Sequence, residues 1–305
     1  MTDVSDIKID SDQILLSVIV PVGDMAGRLE FLELWLKQIH NYPMEVILVH
    51  DKTFMPVGSD LKELLETVNS SRVILTQGIF GNPGSARNAG LEFANGSWIA
   101  FWDSDDIPNV ENVLAAVNTS RIDDEILVGD FSVFDIKSMR YRNPFVSLSG
   151  INAVAMNPGM WRMIFRQQTI GDTRFPSLKM GEDQVFLSHL NFGLKNLRFF
   201  NSIFYQYNIG GASQLTKSVI ALRDLPLASE IILGHAKKAN RKQTIFDMQL
   251  FFRQQITVLK NGDLKLKIST YKFVGRCLRK LSINFLFGSL IALYRVLRMI
   301  RSSGI

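Results

Sequence analysis

Four short, unbroken apolar runs, each followed by a polar turn, constrain this chain more than any other feature. They are Leu15-Leu16-Ser17-Val18-Ile19-Val20-Pro21, Glu45-Val46-Ile47-Leu48-Val49, Arg72-Val73-Ile74-Leu75 and Trp98-Ile99-Ala100-Phe101-Trp102. Runs of this length without polar alternation read as strands buried on both faces. Helix signals fill the gaps. Leu29, Leu32, Leu36 and Ile39 recur at three- and four-residue steps, Asp60 is placed to cap a helix through Leu64, Leu65 and Val68, and Ser85 to Phe93 reads as a third helix. Strands alternating with helices at this spacing predict right-handed βαβ units, hence an α/β fold with a mixed, mostly parallel sheet flanked by helices.

In open sheets of that kind a ligand lies beyond the carboxyl ends of the strands. The residues following the four runs are Val22-Gly23-Asp24, His50-Asp51-Lys52-Thr53, Gln77-Gly78 and Asp103-Ser104-Asp105-Asp106. Three of the four bring a carboxylate to the same edge. The last is the strongest local signal, because three carboxylates within four residues repel one another and a strand end supplies no reason to hold them. A divalent cation would, since Mg²⁺ and Mn²⁺ take hard oxygen ligands and complete their shell with phosphates. The competing reading is a helix cap, with Asp105 or Asp106 preceding a helix that begins at Pro108 or Asn109.

Beyond residue 125 the pattern changes. Ile126 to Val128, Phe131 to Phe134 and Ile203 to Tyr207 read as strands around an aromatic-rich stretch at Trp161 and Phe165, and Gly181-Glu182-Asp183-Gln184 opens a helix carrying Val185, Leu187 and Leu190. From about Ser218 onward the chain reads as helical. These patterns divide the chain into a body at 1–217 and a helical extension at 218–305.

Several motifs in order carry a resemblance. Ser17 to Pro21, Glu45 to Asp51, Gly84-Ser85-Ala86-Arg87-Asn88-Ala89-Gly90, Asp103-Ser104-Asp105, Trp161 to Arg166, Arg174-Phe175-Pro176 and Gly181-Glu182-Asp183 together resemble the family 2 glycosyltransferases of GT-A fold, in an order similar to bacterial surface-polysaccharide members. The likeness covers roughly 15–215. It implies a donor pocket with Pro21 at the end of the opening strand, Asp51 on the base or ribose, Arg87 on the base side and Asp103 against ribose or metal. It further implies that Asp105, with Asp103, ligates Mn²⁺ or Mg²⁺ on the diphosphate of a nucleotide-sugar, a UDP-sugar by preference. Asp183 would be the general base, supported by Glu182, in an inverting transfer of one sugar to a glycan or lipid-linked acceptor. Where the family reads Asp-Asp-Gly-Ser this chain reads His50-Asp51-Lys52-Thr53, and the Gln-x-x-Arg-Trp signature of processive synthases is absent.

The structural alternative for Glu182-Asp183 is an acidic first helical turn opposing the macrodipole. Histidines such as His189 read as surface or partly buried residues, with His50 kept as a nucleotide neighbour; Tyr205, Tyr207 and Ser213 are candidates for the edge of the acceptor side, against the reading of strand aromatics as core, and carry no assigned role. Two other functions fit parts of the pattern. A sugar nucleotidyltransferase would carry a glycine-rich Arg-Leu loop like Val22 to Leu29, but followed by a proline and a lysine, and here Glu30, Phe31, Leu32 and Glu33 follow instead. A non-catalytic glycan-binding module would have no need of Asp105 and Asp183 together.

Charge is distributed unevenly. Residues 237–305 hold 15 Lys and Arg against Asp247 and Asp263, a balance of +13, while 1–236 sum to −8. Leu281 to Tyr294 is a 14-residue uncharged stretch between basic residues, short of the roughly 20 needed to span a bilayer. On a helix, Lys272, Arg276, Arg279, Lys280, Arg295, Arg298 and Arg301 share one broad face, as in interfacial helices that lie on anionic membranes; the alternative is a carboxyl-terminal helix packed on the body, its basic face solvated or docked against acidic residues. No nucleic-acid recognition motif accompanies the basic stretch, so no nucleic-acid partner is expected. A single cysteine, Cys277, and an amino terminus without a basic-then-apolar run are what a reducing compartment would allow. The expected location is cytoplasmic, peripheral at the inner face of the cell membrane.

Overall fold

The computed structural model describes residues 14–23, 29–53, 58–146, 150–211, 219–279 and 289–296. The four apolar runs form β1 (Leu16–Val22), β2 (Met44–Asp51), β3 (Val73–Gly78) and β4 (Trp98–Phe101). They pair in parallel in the order β3-β2-β1-β4. The intervening helices are α1 (Leu29–Leu36), α2 (Ser59–Val68) and α3 (Pro83–Leu91). Asp60 falls inside the first turn of α2 rather than at its cap, which is Gly58.

The sheet continues through β5 (Ile107–Pro108), β6 (Ile126–Asp135), β7 (Arg140–Val146), β8 (Met163–Arg166) and β9 (Leu197–Ile209). β8 joins β4 to β6 in antiparallel fashion, β6 and β9 run parallel, and β5 and β7 pair antiparallel with β9 and β6. The two runs expected at 126–128 and 131–134 are one strand. Gly129 and Asp130 read as a break in the apolar pattern, but β9 absorbs the irregularity as a register shift beside Asp130. The helices of this half are α4 (Val110–Asn118), α5 (Ile151–Met156), α6 (Gln167–Ile170), α7 (Glu182–His189), α8 (Val219–Leu222), α9 (Leu225–Ala236), α10 (Arg241–Asn261) and α11 (Leu264–Arg279), with a further helical stretch at 289–296.

Alternate residues of β1 enter opposite cores. Leu16, Val18 and Val20 pack with Leu32, Trp35 and Leu36 of α1 and with Val113 and Leu114 of α4. Ile19 packs with Ala86 of α3, Val185 and Phe186 of α7, and Ile232 and Leu250 of α9 and α10. The result is a three-layer α/β/α body in which the first helices of the basic carboxyl-terminal stretch cover one face of the sheet. Side chains of Arg276 and Arg279 lie outside the described residues, as do Lys280 to Gly288 and 297–305, so most of the interfacial face expected from the sequence is not described. No helix among the described residues is long and apolar enough to cross a membrane.

Helix α3 sits unusually close to the sheet because Gly90 has no side chain. A Cβ there would stand 2.4 Å from Ile19 Cγ2 and 3.1 Å from Val49 Cγ2. Alanine would gain up to about 1 kcal/mol of helix propensity, but overpacking a filled core costs about 1–3 kcal/mol. Gly90→Ala is therefore expected to lower the urea midpoint, and a midpoint equal to or above the parent's would show that the contact relaxes freely.

Candidate functional site

β1, β2 and β4 end on one edge of the sheet, so the residues that follow them are brought together. Pro21 pairs with Val49, His50 with Val22, and Phe101 with Ile19. Asp51 closes β2 and is buried. Its Oδ1 accepts the backbone N–H groups of Thr53 at 2.9 Å and Phe80 at 3.0 Å, and its Oδ2 accepts that of Gly81 at 2.7 Å. Burial works to raise its pKa, but the donors from Thr53, Phe80 and Gly81 outweigh it and hold the carboxyl below its usual range. A carboxylate offers about four acceptor positions. The Thr53 side chain donates as well, so Asp51 is a rigidly held anion whose acceptor positions are largely filled. Its neighbour His50 is buried, and burial lowers its pKa, favouring the neutral ring.

Arg87 is the hub. Its Nη1 donates to Glu182 Oε1 and its Nη2 to Asp103 Oδ1, each at 2.9 Å. The guanidinium also lies over the Phe175 ring, 5.6 Å from the centroid. It gets there because Asn82 caps α3 by accepting the Ser85 N–H at 2.8 Å, and because Gly84 lets the first turn press on the 175–182 segment. A Cβ at Gly84 would lie 2.8 Å from the Pro176 carbonyl oxygen and 3.1 Å from Glu182 Cγ. Asn88, one helical step from Arg87, locks the same contact by exchanging hydrogen bonds with the Phe175 backbone at 2.9 Å in both directions. Small residues at the helix start thus join two acidic stretches some eighty residues apart.

The acidic turn after β4 is divided in its roles. Asp103 and Asp105 are partly open, whereas Asp106 is buried. Asp106 Oδ1 accepts the Asn208 N–H at 2.7 Å, Asn208 Nδ2 donates to the Asp105 carbonyl at 2.8 Å, and the Asp103 N–H donates to the Tyr205 hydroxyl at 2.9 Å. Strand β9 therefore pins the turn from behind. Neither Asp105 nor Asp106 caps the following helix; Asn109 does, accepting the Asn112 N–H. Burial, followed by the charges of Asp105 and Asp103, pushes the Asp106 pKa well up. Three carboxylates thus share one turn, with Arg87 paired to Asp103.

Among the described residues, no group of three or more His, Cys, Asp or Glu side chains is arranged to hold a metal ion unaided. Asp103 and Asp105 nevertheless suit an ion that takes one or two carboxylates and fills its shell with water and a diphosphate, as Mg²⁺ and Mn²⁺ do. Their fit rests on geometry: two partly open carboxylates stand two residues apart on one turn that β9 holds from behind.

Glu182 and Asp183 open α7, as an acidic first turn should, and also face the hub. Glu182 is 7% exposed, and Asp183 is more open. Burial and the adjacent Asp183 raise the Glu182 pKa to about 7 against the opposing pull of Arg87. Burial also raises that of Asp183, with Arg253 of α10 as the largest counterweight. Arg253 is held by its Nε donating to the Met156 carbonyl at 2.6 Å. Two carboxyls with raised pKa values, one accessible and one enclosed, are what proton transfer at neutral pH requires.

Two contributors were not foreseen as site residues. Tyr205 is fully buried and stacks on Trp161, with ring centroids 4.8 Å apart, while Tyr207 stacks on the same indole at 5.4 Å. Its hydroxyl, and not its ring, serves the acidic turn, and strand alternation carries no sign of that. Arg253 is a cation that directly follows the apolar run Leu250-Phe251-Phe252, and the sequence carries no sign that it faces Asp183. His189 is exposed, with its ring 5.6 Å from that of His235 and apart from the cluster. Ser213 and residues 24–28 lie outside the described residues.

A sequence model described as glycosyl transferase family 2 matches residues 17–180, more than half of the chain. Glu182 and Asp183 fall just past that match. No curated protein sequence matches the chain. Among solved structures, residues 1–349 of S. aureus TarS in complex with UDP-GlcNAc are similar at a TM-score of 0.65 and 17% identity, over 95% of this chain and 92% of that one. Mannosyltransferase PcManGT from Pyrobaculum calidifontis, in complex with GDP-Man and Mn²⁺, is similar at 0.53 and 12% identity, over 93% and 85%. At these identities the likeness establishes a GT-A arrangement of sheet and helices.

Proposed function

Because this chain belongs to glycosyl transferase family 2, we propose that it moves one sugar from a nucleotide-diphosphate donor, a UDP-sugar by preference, to a glycan or lipid-linked acceptor with inversion at the anomeric carbon. The observation that supports this most is the Arg87 guanidinium, which ties Asp103 of the diphosphate-side turn to Glu182 of the base-side helix. Donor-side and acceptor-side carboxylates then flank one reacting centre. The TarS and PcManGT complexes, with UDP-GlcNAc and with GDP-Man and Mn²⁺, lend the donor class and the metal as analogies.

In this reading Pro21, Asp51 and Arg87 border the nucleoside. Asp51 lies on the base or ribose, and Asp103 and Asp105 would hold Mn²⁺ or Mg²⁺ at the diphosphate. When bound, the ion stabilises the charge that develops on the leaving phosphate. Asp183 takes the proton from the attacking acceptor hydroxyl. As that oxygen bonds to the anomeric carbon, the bond from that carbon to the donor phosphate breaks, and its electron pair leaves with the nucleoside diphosphate. Glu182 stays under Arg87 and fixes the orientation of its neighbour. The body at 1–217 carries these steps, while the basic extension at 218–305 keeps the enzyme at an anionic cytoplasmic membrane face, near a lipid-linked acceptor of surface-polysaccharide assembly.

Isothermal calorimetry with a panel of UDP- and GDP-sugars tests the donor reading. Binding is expected to tighten at least tenfold with Mn²⁺, and Asp105→Ala to abolish that dependence while leaving metal-free binding in place. If no nucleotide sugar binds with or without metal, sugar transfer is the wrong reaction.

A further inference from the structure

Away from this centre, a cleft of about 410 Å³ opens between α5, the start of α10 and the 289–296 helix. Its charged residues are all cationic: Arg241 and Lys242 from the first turn of α10, and Arg295 from the last described helix. Arg295 is held in place as its Nη1 donates to Asn152 Oδ1 at 2.6 Å. Among the described lining residues there is no Asp or Glu.

Two features make this more than a solvated basic surface. Arg241 and Lys242 are exposed at a helix amino terminus, where the macrodipole is positive and cations are disfavoured. The first turn of α10 holds no acidic residue to offset them. Independently, Gln249, two turns further along α10, lines the cleft while only 1% exposed, and its Nε2 has no hydrogen-bond partner among the described residues. A buried amide donor left unmade is destabilising. Three cations therefore line a space whose described lining holds no carboxylate, with an unspent amide donor in its wall.

Ile151, Ile245 and Phe246 supply the rest of the lining. A free inorganic anion gains nothing from that apolar wall, whereas a phosphate attached to a hydrocarbon chain satisfies both. We propose that this cleft is a binding site for the phosphate headgroup of an anionic lipid. The inference deepens the membrane-facing part of the reading above and is independent of the sugar-transfer chemistry. It places a discrete lipid contact on residues to either side of the uncharged 281–294 stretch.

Co-sedimentation of the full chain with phosphatidylcholine vesicles, with and without phosphatidic acid, tests it. Binding is expected only with phosphatidic acid. The double variant Arg241→Gln/Lys242→Gln should weaken it about tenfold or more, from the loss of two surface cations. Lys237→Gln/Lys238→Gln removes the same charge from the neighbouring surface outside the cleft and should weaken it less than about threefold. Equal losses in the two variants would overturn the site while leaving membrane attachment intact, and no binding by the parent chain would overturn both. Short-chain phosphatidic acid should compete at concentrations where inorganic phosphate does not; equal competition by phosphate would remove the lipid from the assignment. Nucleotide-sugar binding, measured in parallel, should be unchanged in all variants.

Discussion

Asp183→Asn is expected to lower sugar transfer by about 10²–10⁴-fold, the usual worth of a positioned general base, while donor affinity stays within about twofold. The asparagine keeps the size of the side chain and can still accept the Gln184 N–H that Asp183 Oδ1 accepts at 2.7 Å, so the start of α7 is preserved and the loss is chemical. Glu182→Gln should cost less in turnover and more in stability, because Glu182 is enclosed against Arg87 and not open to an acceptor. Single-turnover product formation, with calorimetric donor binding alongside, separates the two. An Asp183→Asn enzyme that keeps more than about a tenth of parental turnover would assign the proton to another group. The parent's pH profile carries the same information. Burial raises both carboxyls, Glu182 to about 7, and a protonated base cannot accept a proton. Turnover should therefore climb with pH along a limb near neutrality that belongs to the pair.

Arg87→Met should destabilise the fold by about 3–5 kcal/mol at pH 8, the cost of leaving a buried charge without its partner, and by clearly less at pH 5. The difference follows from linkage. The Glu182 pKa of about 7 in the folded chain lies above its ordinary 4.5. The folded state thus binds more protons between those values, and this group's contribution to stability falls as pH rises from about 4.5 to 7. Without the guanidinium, the influence that lowers the Glu182 pKa disappears, so the fall becomes steeper and extends to higher pH. At pH 5 Glu182 is already neutral and needs no cation, and Asp103, more open, keeps water. Urea unfolding at the two pH values measures this, and equal losses at both would show that Arg87 acts through packing on Phe175 and not through charge. Donor binding should weaken as well, since Asp103 loses the group that orients it.

Sequence by itself determined the amino-terminal half of the sheet. β1 to β4 and the helices between them follow from apolar runs and helical periods, because a strand buried on both faces must be apolar throughout and its length limits where it can begin. The acidic turn was legible for a related reason: Asp103, Asp105 and Asp106 repel one another, and local structure alone does not explain their proximity. Glu182-Asp183 could be read locally only as a helix start, and the family resemblance was needed to make it more.

Tertiary structure decided the rest. It runs β6 through Gly129 and Asp130, because pairing with β9 compensates for residues that look like a break. It assigns Asp106 to anchoring and leaves Asp103 and Asp105 partly open, since β9, some hundred residues away, supplies Asn208 and Tyr205. It joins Arg87 to Asp103 and Glu182, and brings Arg253 from α10 to bear on Asp183. Periodicity records which face of an element is buried, whereas the partner of a buried charge depends on distances between elements that no local pattern encodes.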